Sequence, residues 1–243
     1  MFVRLLGLEN ETEGVGPNDW PYSRYWNYVT EGSLRGDHTE FVLAQPLSGS
    51  DFIQAVKELK SYLENPCIEI TDRCSLHVHV DARDLDKNQL FAICLLYTIF
   101  EYPLYKISGD RYFNKYCIPV AESNFLQQAI ANLKKDSYVD RSNRYGGLNL
   151  NALQNFGSLE FRMHEGTTSQ RDILTWCKIL HDLVEEGRKL SPEDVLRIAD
   201  QDMLFLADKL IFNGKVDIRP YEDRLRYSLK VAESIYLRST HDS

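Results

Sequence analysis

The chain has 243 residues, 28 Lys+Arg against 36 Asp+Glu, a formal charge of −8 and 43% hydrophobic residues. That length predicts one domain, or one with a small appendage, able to bury a core without disulfides or structural metal. The ordinary charged and aromatic content excludes wholesale disorder, and the acidic balance argues against a nucleic-acid polymer or an anionic membrane as partner, since both need a basic face.

Residues 2–11 run from apolar to acidic and read as a first strand. Residues 14–36 are irregular, broken by Gly14, Gly16, Pro17, Pro21 and Gly32, and rich in Trp and Tyr. Such a segment is either a functional loop or lid, or aromatic packing over the edge of the core. A second strand is expected over 39–46. An amphipathic helix follows over 51–64, with Phe52, Val56, Leu59 and Leu63 on one face and Ser50 as N-cap. Residues 74–81 alternate as a strand, 86–100 read as a buried helix, and 122–134 as another helix. Residues 158–164 alternate again. The remainder is helical: 170–188, 192–200 with Ser191 as N-cap and Pro192 in the first turn, 202–212 and 221–238. The fold class is therefore α+β, with a strand-rich core over 1–168 carrying inserted helices, and a helical part over 169–243 packed on it.

The five cysteines are odd in number and show no C-x-x-C, so reduced structural thiols in a cytoplasmic protein are expected. The N-terminal apolar run is too short for a signal peptide or anchor. The most apolar stretch, 90–100, ends at Glu101, short of the roughly 18 residues that a bilayer span needs.

The informative residues come in pairs two apart, and in a strand such pairs share a face. Glu9 and Glu11 share one, His77 and His79 another, and Glu160, Arg162 and His164 a third. In the last two segments Leu76, Val78 and Val80, and Leu159, Phe161 and Met163, oppose them. A half-exposed sheet is often polar merely because it is solvated. Here the polar faces carry carboxylates, imidazoles and one arginine instead of the usual Lys, Thr, Ser and Gln. Carboxylate with imidazole suits Mg²⁺, Mn²⁺ or Zn²⁺, and an arginine beside them suits phosphate.

Taken in order, the motifs are Gly7-Leu8-Glu9-Asn10-Glu11, Glu31-Gly32-Ser33-Leu34 leading to Glu40-Phe41-Val42-Leu43, Leu76-His77-Val78-His79-Val80, Tyr116-Cys117-Ile118-Pro119, Arg144-Tyr145-Gly146-Gly147-Leu148-Asn149 and Leu159-Glu160-Phe161-Arg162-Met163-His164-Glu165. With this set the chain resembles an amidoligase family of the glutamine synthetase / glutamate–cysteine ligase superfamily, a group frequent in phages and mobile operons. The resemblance covers most of the chain up to about Arg171. It implies a glutamine-synthetase-like, curved and mostly antiparallel sheet forming an active-site funnel. It also implies metal ligands at Glu9, Glu11, Glu40, His77 and Glu160, nucleotide or substrate contact at His79, and a phosphate-binding Arg162. Arg111, Arg144 and Asn149 follow as candidates for phosphate or substrate. Catalytic candidates are Glu160, Arg162 and Glu165, with Glu165 or Asp81 taking a proton. One departure stands out: Glu31 occupies a position where the family usually has aspartate.

The implied reaction is ATP-dependent joining of a small-molecule or peptide carboxylate to an amine through an acyl phosphate, with two or three Mg²⁺ or Mn²⁺ ions. A homo-oligomer stays open. Two other readings compete: a metal-dependent amide hydrolase on the same residues, and a binding scaffold that keeps the fold without catalysis. For His164 and His181 a structural role is the expectation. Gly146-Gly147 lacks a phosphate-loop context and reads as a turn.

Overall fold

The structure is a computed structural model, and it describes residues 1–109, 111–124, 126–128, 130, 145–208, 212 and 216–241. The alternating segments form an open, six-stranded antiparallel sheet: β1 (Leu6–Glu13), β2 (Trp26–Val29), β3 (His38–Leu43), β4 (Ser75–Asp81), β5 (Leu148–Asn149) and β6 (Ser158–Glu165), in spatial order β2-β3-β1-β4-β6-β5. Leu6, Leu8, Phe41, Leu76, Val78, Val80, Leu159 and Phe161 all point to one face and are fully or almost fully buried there. Every second residue then points to the opposite face, which helices leave open.

The helices are α1 (Gly49–Leu63), α2 (Lys87–Ile107), α3 (Asn151–Phe156), α4 (Gln170–Gly187), α5 (Pro192–Gln201), α6 (Met203–Ala207) and α7 (Glu222–His241). Phe52, Val56, Leu59 and Leu63 of α1 are buried as the periodicity predicts. Ser169 and Ser191 cap α4 and α5, their hydroxyls accepting from the N–H of Asp172 and Asp194. A capping box starts α2: the Asp86 carboxylate accepts from Gln89 N–H at 2.8 Å, and the Gln89 side chain accepts from Asp86 N–H at 3.1 Å.

Three differences from expectation have local causes. Helix α1 starts with Ser48, not Ser50, in the N-cap position. The chain turns in at Gly49, whose φ of 57° suits glycine, and its N–H donates to Phe2 O at 2.9 Å. Helix α2 continues past residue 100 through Glu101 and Pro103 to Ile107. Glu101 survives in the core because its two oxygens accept from Val120 N–H (2.7 Å) and Ala121 N–H (2.9 Å). By length and composition α2 could cross a membrane, but here it is buried along most of its length, packed by α5 and α7. A helix apolar all round is what an interior position requires. The short elements β2, β5 and α3 were not anticipated. The helix expected over 122–134 falls partly outside the described residues.

The aromatic segment divides between its two readings. Trp20 packs on Phe41, Tyr28 and Tyr62, and the Trp26 indole N–H donates to Ala55 O at 3.0 Å. These rings close the core edge between β3 and α1. Farther along, Glu31, Gly32 and Ser33 line the pocket on the open face. All five cysteines are free thiols.

Candidate active site

Strand pairing assembles the open face. Glu9 is the direct cross-strand partner of both Val42 and His77, Glu11 of Glu40, and His79 of both Gly7 and Glu160. Side chains from four strands thus converge on one cavity of about 600 Å³. Its walls carry Glu9, Glu11, Glu31, Glu40 and Glu160, with His77 and His79, and the guanidiniums of Arg73, Arg111 and Arg162.

Glu9 sits at the centre. One oxygen lies 3.1 Å from His77 Nδ1 and the other 3.4 Å from His79 Nε2. Burial works against its charge, but the two imidazoles outweigh burial and hold the carboxyl well below the usual carboxylate range. For His79 burial is again the largest influence, lowering its pKa. The hydrogen bond to Glu9 and the charge of Glu160 reverse that and raise it. Beyond the ring, His79 Nδ1 meets Ser158 Oγ at 3.0 Å, and Phe156 stands edge-on to it. Gly7 leaves the room: a Cβ there would lie 3.1 Å from that of His79.

Glu160 is held from both sides. Arg162 Nη1 donates to one oxygen, and Asn149 Nδ2 donates to the other at 2.6 Å. Glu11 is held by Ser75, whose N–H and hydroxyl both reach one carboxylate oxygen. Among the described residues none gives Glu40 such help. Burial, then the charges of Glu9, Glu11 and Glu31, push its carboxyl up to about 8, against the pull of Arg162.

Two groups of side chains here have ligand atoms all within 4.8 Å of one another: Glu9, Glu40 and His77, and Glu9, His79 and Glu160. They share Glu9. Carboxylate and imidazole oxygens and nitrogens suit Mg²⁺ or Mn²⁺, and the raised Glu40 marks an excess of negative charge that a cation would relieve. The donor set therefore fits a divalent metal.

A second, mostly apolar cavity of about 310 Å³ adjoins the first and shares Glu9, His79 and Phe156 with it. Leu5, Leu8, Val42, Leu43 and Pro46 line it, with Gln45, Asp81 and Arg83 also on its walls. Asp81 is engaged by Arg83 through Nε at 2.7 Å.

Not every residue that spacing puts on the polar face arrives there, and His164 and His181 were expected to be structural. His164 leaves the Glu160 face. The β4–β6 pairing shifts register, so Val78 opposes Phe161 while Leu76 opposes His164. The extra residue on β6 turns the imidazole away, and its ring meets Trp176 of α4 at 5.2 Å. Glu165 lies outside the pocket too, beside Gly109 on a separate cavity with His164, Asp172 and Trp176. His181 is structural, accepting at Nε2 from Val3 N–H at 3.1 Å. Arg111 lines the pocket, anchored by donation to His164 O at 3.0 Å, and its Nε has no hydrogen-bond partner among the described residues. Arg144 lies outside the described residues. Gly147 is a packing position: a Cβ would lie 2.5 Å from the Tyr105 hydroxyl and 2.7 Å from that of Tyr97.

Sequence reasoning missed Arg73, Ser75, Ser33 and Phe156 as pocket residues. Ser75 could have been found, because it precedes His77 by two and so shares its face. Nothing local marks Arg73 or Phe156, which loop and helix bring in.

A search of curated proteins gives no match. A family model described as "Putative amidoligase enzyme" matches residues 40–184, more than half of the chain. That span holds most of β3 and all of β4, β5 and β6, whereas Glu9 and Glu11 precede it. The chain belongs to this amidoligase family.

Proposed function

We propose that this pocket is the active site of an ATP-dependent carboxylate–amine ligase with a glutamine-synthetase-like sheet. The observation that carries the reading is the pair of donor groups sharing Glu9, with Arg162 beside Glu160 at their edge. A carboxylate and an amine do not condense in water unless the carboxylate is activated. In the proposed reaction a substrate carboxylate oxygen attacks the γ-phosphorus of ATP. The bond to the β,γ-bridging oxygen breaks, and ADP leaves. The amine nitrogen then attacks the carbonyl carbon of the acyl phosphate. The carbon–oxygen bond to phosphate breaks, and the amine gives up a proton.

Glu9, Glu11, Glu40, His77 and Glu160 would hold two or three Mg²⁺ or Mn²⁺ ions, which supply neutralisation of phosphate charge. Arg162 lines the pocket beside Glu160 and stabilises the transferring phosphoryl group. His79 stands between the polar and apolar cavities, so it orients the nucleotide where its phosphates meet the rest of the molecule. The apolar cavity suits the base. Arg111 and Arg73 line the polar cavity and suit the carboxylate substrate.

An ADP-release assay on mixtures of small carboxylates and amines tests this. ADP and phosphate should appear only when ATP, Mg²⁺ or Mn²⁺, a carboxylate and an amine are all present. Amide cleavage that needs metal but no ATP would overturn the reading in favour of a hydrolase.

A further inference from the structure

The residues that leave the polar face of β6 meet at a cavity of their own, about 320 Å³ in volume, between the end of β6, the first turns of α4 and the end of α2. His164 lines it and is only 6% exposed. Its Nδ1 lies 2.7 Å from Glu165 O. A carbonyl oxygen only accepts, so Nδ1 carries the ring proton and Nε2 is a bare lone pair. Burial is the largest influence on this ring and holds it below the usual imidazole range, which keeps it neutral. Nε2 has no hydrogen-bond partner among the described residues, yet it is not sealed off by neighbouring atoms. The cavity is the space left open to it.

Two carboxylates join that acceptor, Glu165 and Asp172. Among the described residues neither side chain has a hydrogen bond or ion pair, and no Lys or Arg lines the cavity. Gly109 lets the backbone pass against Glu165, because a Cβ there would lie 2.3 Å from the carboxyl carbon. Trp176 and Ile179 form an apolar wall. The acceptors of His164, Glu165 and Asp172 do not all lie within 4.8 Å of one another, as the two groups sharing Glu9 do. They are spread too widely to close on one metal ion.

We propose that this cavity binds a small alkylguanidinium cation. A guanidinium spreads its N–H donors over three nitrogens in one plane, so it can serve separated acceptors, and its weakly hydrated faces suit an apolar wall. An ammonium gathers its donors on one nitrogen. The inference is independent of the ligase reading, since neither ATP nor metal enters it.

The test titrates the metal-free full chain, at low salt, with n-butylguanidinium, n-butylammonium and tetramethylammonium chlorides. Binding is read by NMR on the ¹⁵N signals of the Trp176 indole and the His164 imidazole, identified by comparison with Trp176→Phe and His164→Gln. Those two signals should shift saturably with n-butylguanidinium, more weakly with n-butylammonium, and not with tetramethylammonium, which has no N–H to give. Glu165→Gln and Asp172→Asn, both at exposed positions, should each weaken n-butylguanidinium binding roughly fivefold. Glu40→Gln, in the other cavity, should leave it unchanged. Wild-type signals that do not respond to n-butylguanidinium overturn the proposal. So does binding of n-butylammonium or tetramethylammonium as tight as that of the guanidinium, or full affinity in both carboxylate variants.

Discussion

Glu11 on β1 and Glu40 on β3 stand directly opposite each other on the pocket face. Burial, with the charges of Glu9 and Glu11, pushes the Glu40 carboxyl up to about 8, so without metal Glu40 keeps its proton near neutral pH, and on the proposed reading a cation would let both carboxyls ionise. Adding Mg²⁺ or Mn²⁺ should therefore raise the unfolding temperature, by the equivalent of about 2.7 kcal/mol at a hundredfold excess over the dissociation constant. Glu40→Gln should lose most of that gain while keeping its metal-free stability. Differential scanning calorimetry with and without metal reads both. An equal metal-induced shift in variant and wild type would contradict the assignment.

Arg162 pairs with Glu160 and lines the pocket. Lysine supplies a charge but cannot contact Glu160 and a phosphate oxygen with the same planar geometry. Arg162→Lys should lower ATP-dependent turnover about 10²- to 10³-fold. Circular dichroism should show the fold unchanged. Steady-state ADP release reads the rate, and a loss of less than threefold would remove Arg162 from the chemistry.

Glu101 gives a pH dependence unrelated to the pocket. Burial is the main influence and pushes its carboxyl from the ordinary 4.5 up to about 7, against the pull of the Ala121 and Val120 N–H groups. Between those values the folded protein holds a proton that the unfolded chain has released. Stability from this group is therefore greatest below about 4.5, falls as pH rises to about 7, and is level above. The full swing is on the order of 3 kcal/mol. Urea midpoints across this range should show the wild type losing stability relative to Glu101→Gln. A difference independent of pH would refute the assignment.

Gly147→Ala should destabilise the protein by about 1–3 kcal/mol through overpacking against Tyr105 and Tyr97. The Gly147 carbonyl accepts from Arg162 N–H at 2.9 Å, so the disturbance also reaches the strand that carries Arg162. Removing the obstructing hydroxyl in a Gly147→Ala, Tyr105→Phe double variant should recover part of the loss. Thermal melts of the single and double variants check this, and a double variant less stable than the sum of the singles would show that steric crowding is not the cause.

The core of the site was legible because a strand's side chains alternate. Glu9 with Glu11, His77 with His79, and Glu160 with Arg162 each share a face by spacing alone. His164 obeys the same spacing and was misplaced, because a bulge belongs to the pairing of two strands and has no signature in one. Helix α2 was read too short for a similar reason. Glu101 looks like a stop until Val120 and Ala121 are seen to satisfy it. The strand β2 is only four residues long and sits among glycines and prolines, so its edge pairing with β3 outweighs a local pattern that reads as loop.

The central claim is that this pocket joins a carboxylate to an amine at the expense of ATP. Mass spectrometry of the products from ATP, Mg²⁺ and a metabolite extract tests it most directly, with Glu160→Ala as the reference. The account predicts a new species in the wild-type reaction whose mass is that of a carboxylic acid plus an amine less one water. It should appear with ADP and be absent from the Glu160→Ala reaction. Identical product profiles from the two proteins, or a wild-type product formed without ATP, would contradict the account.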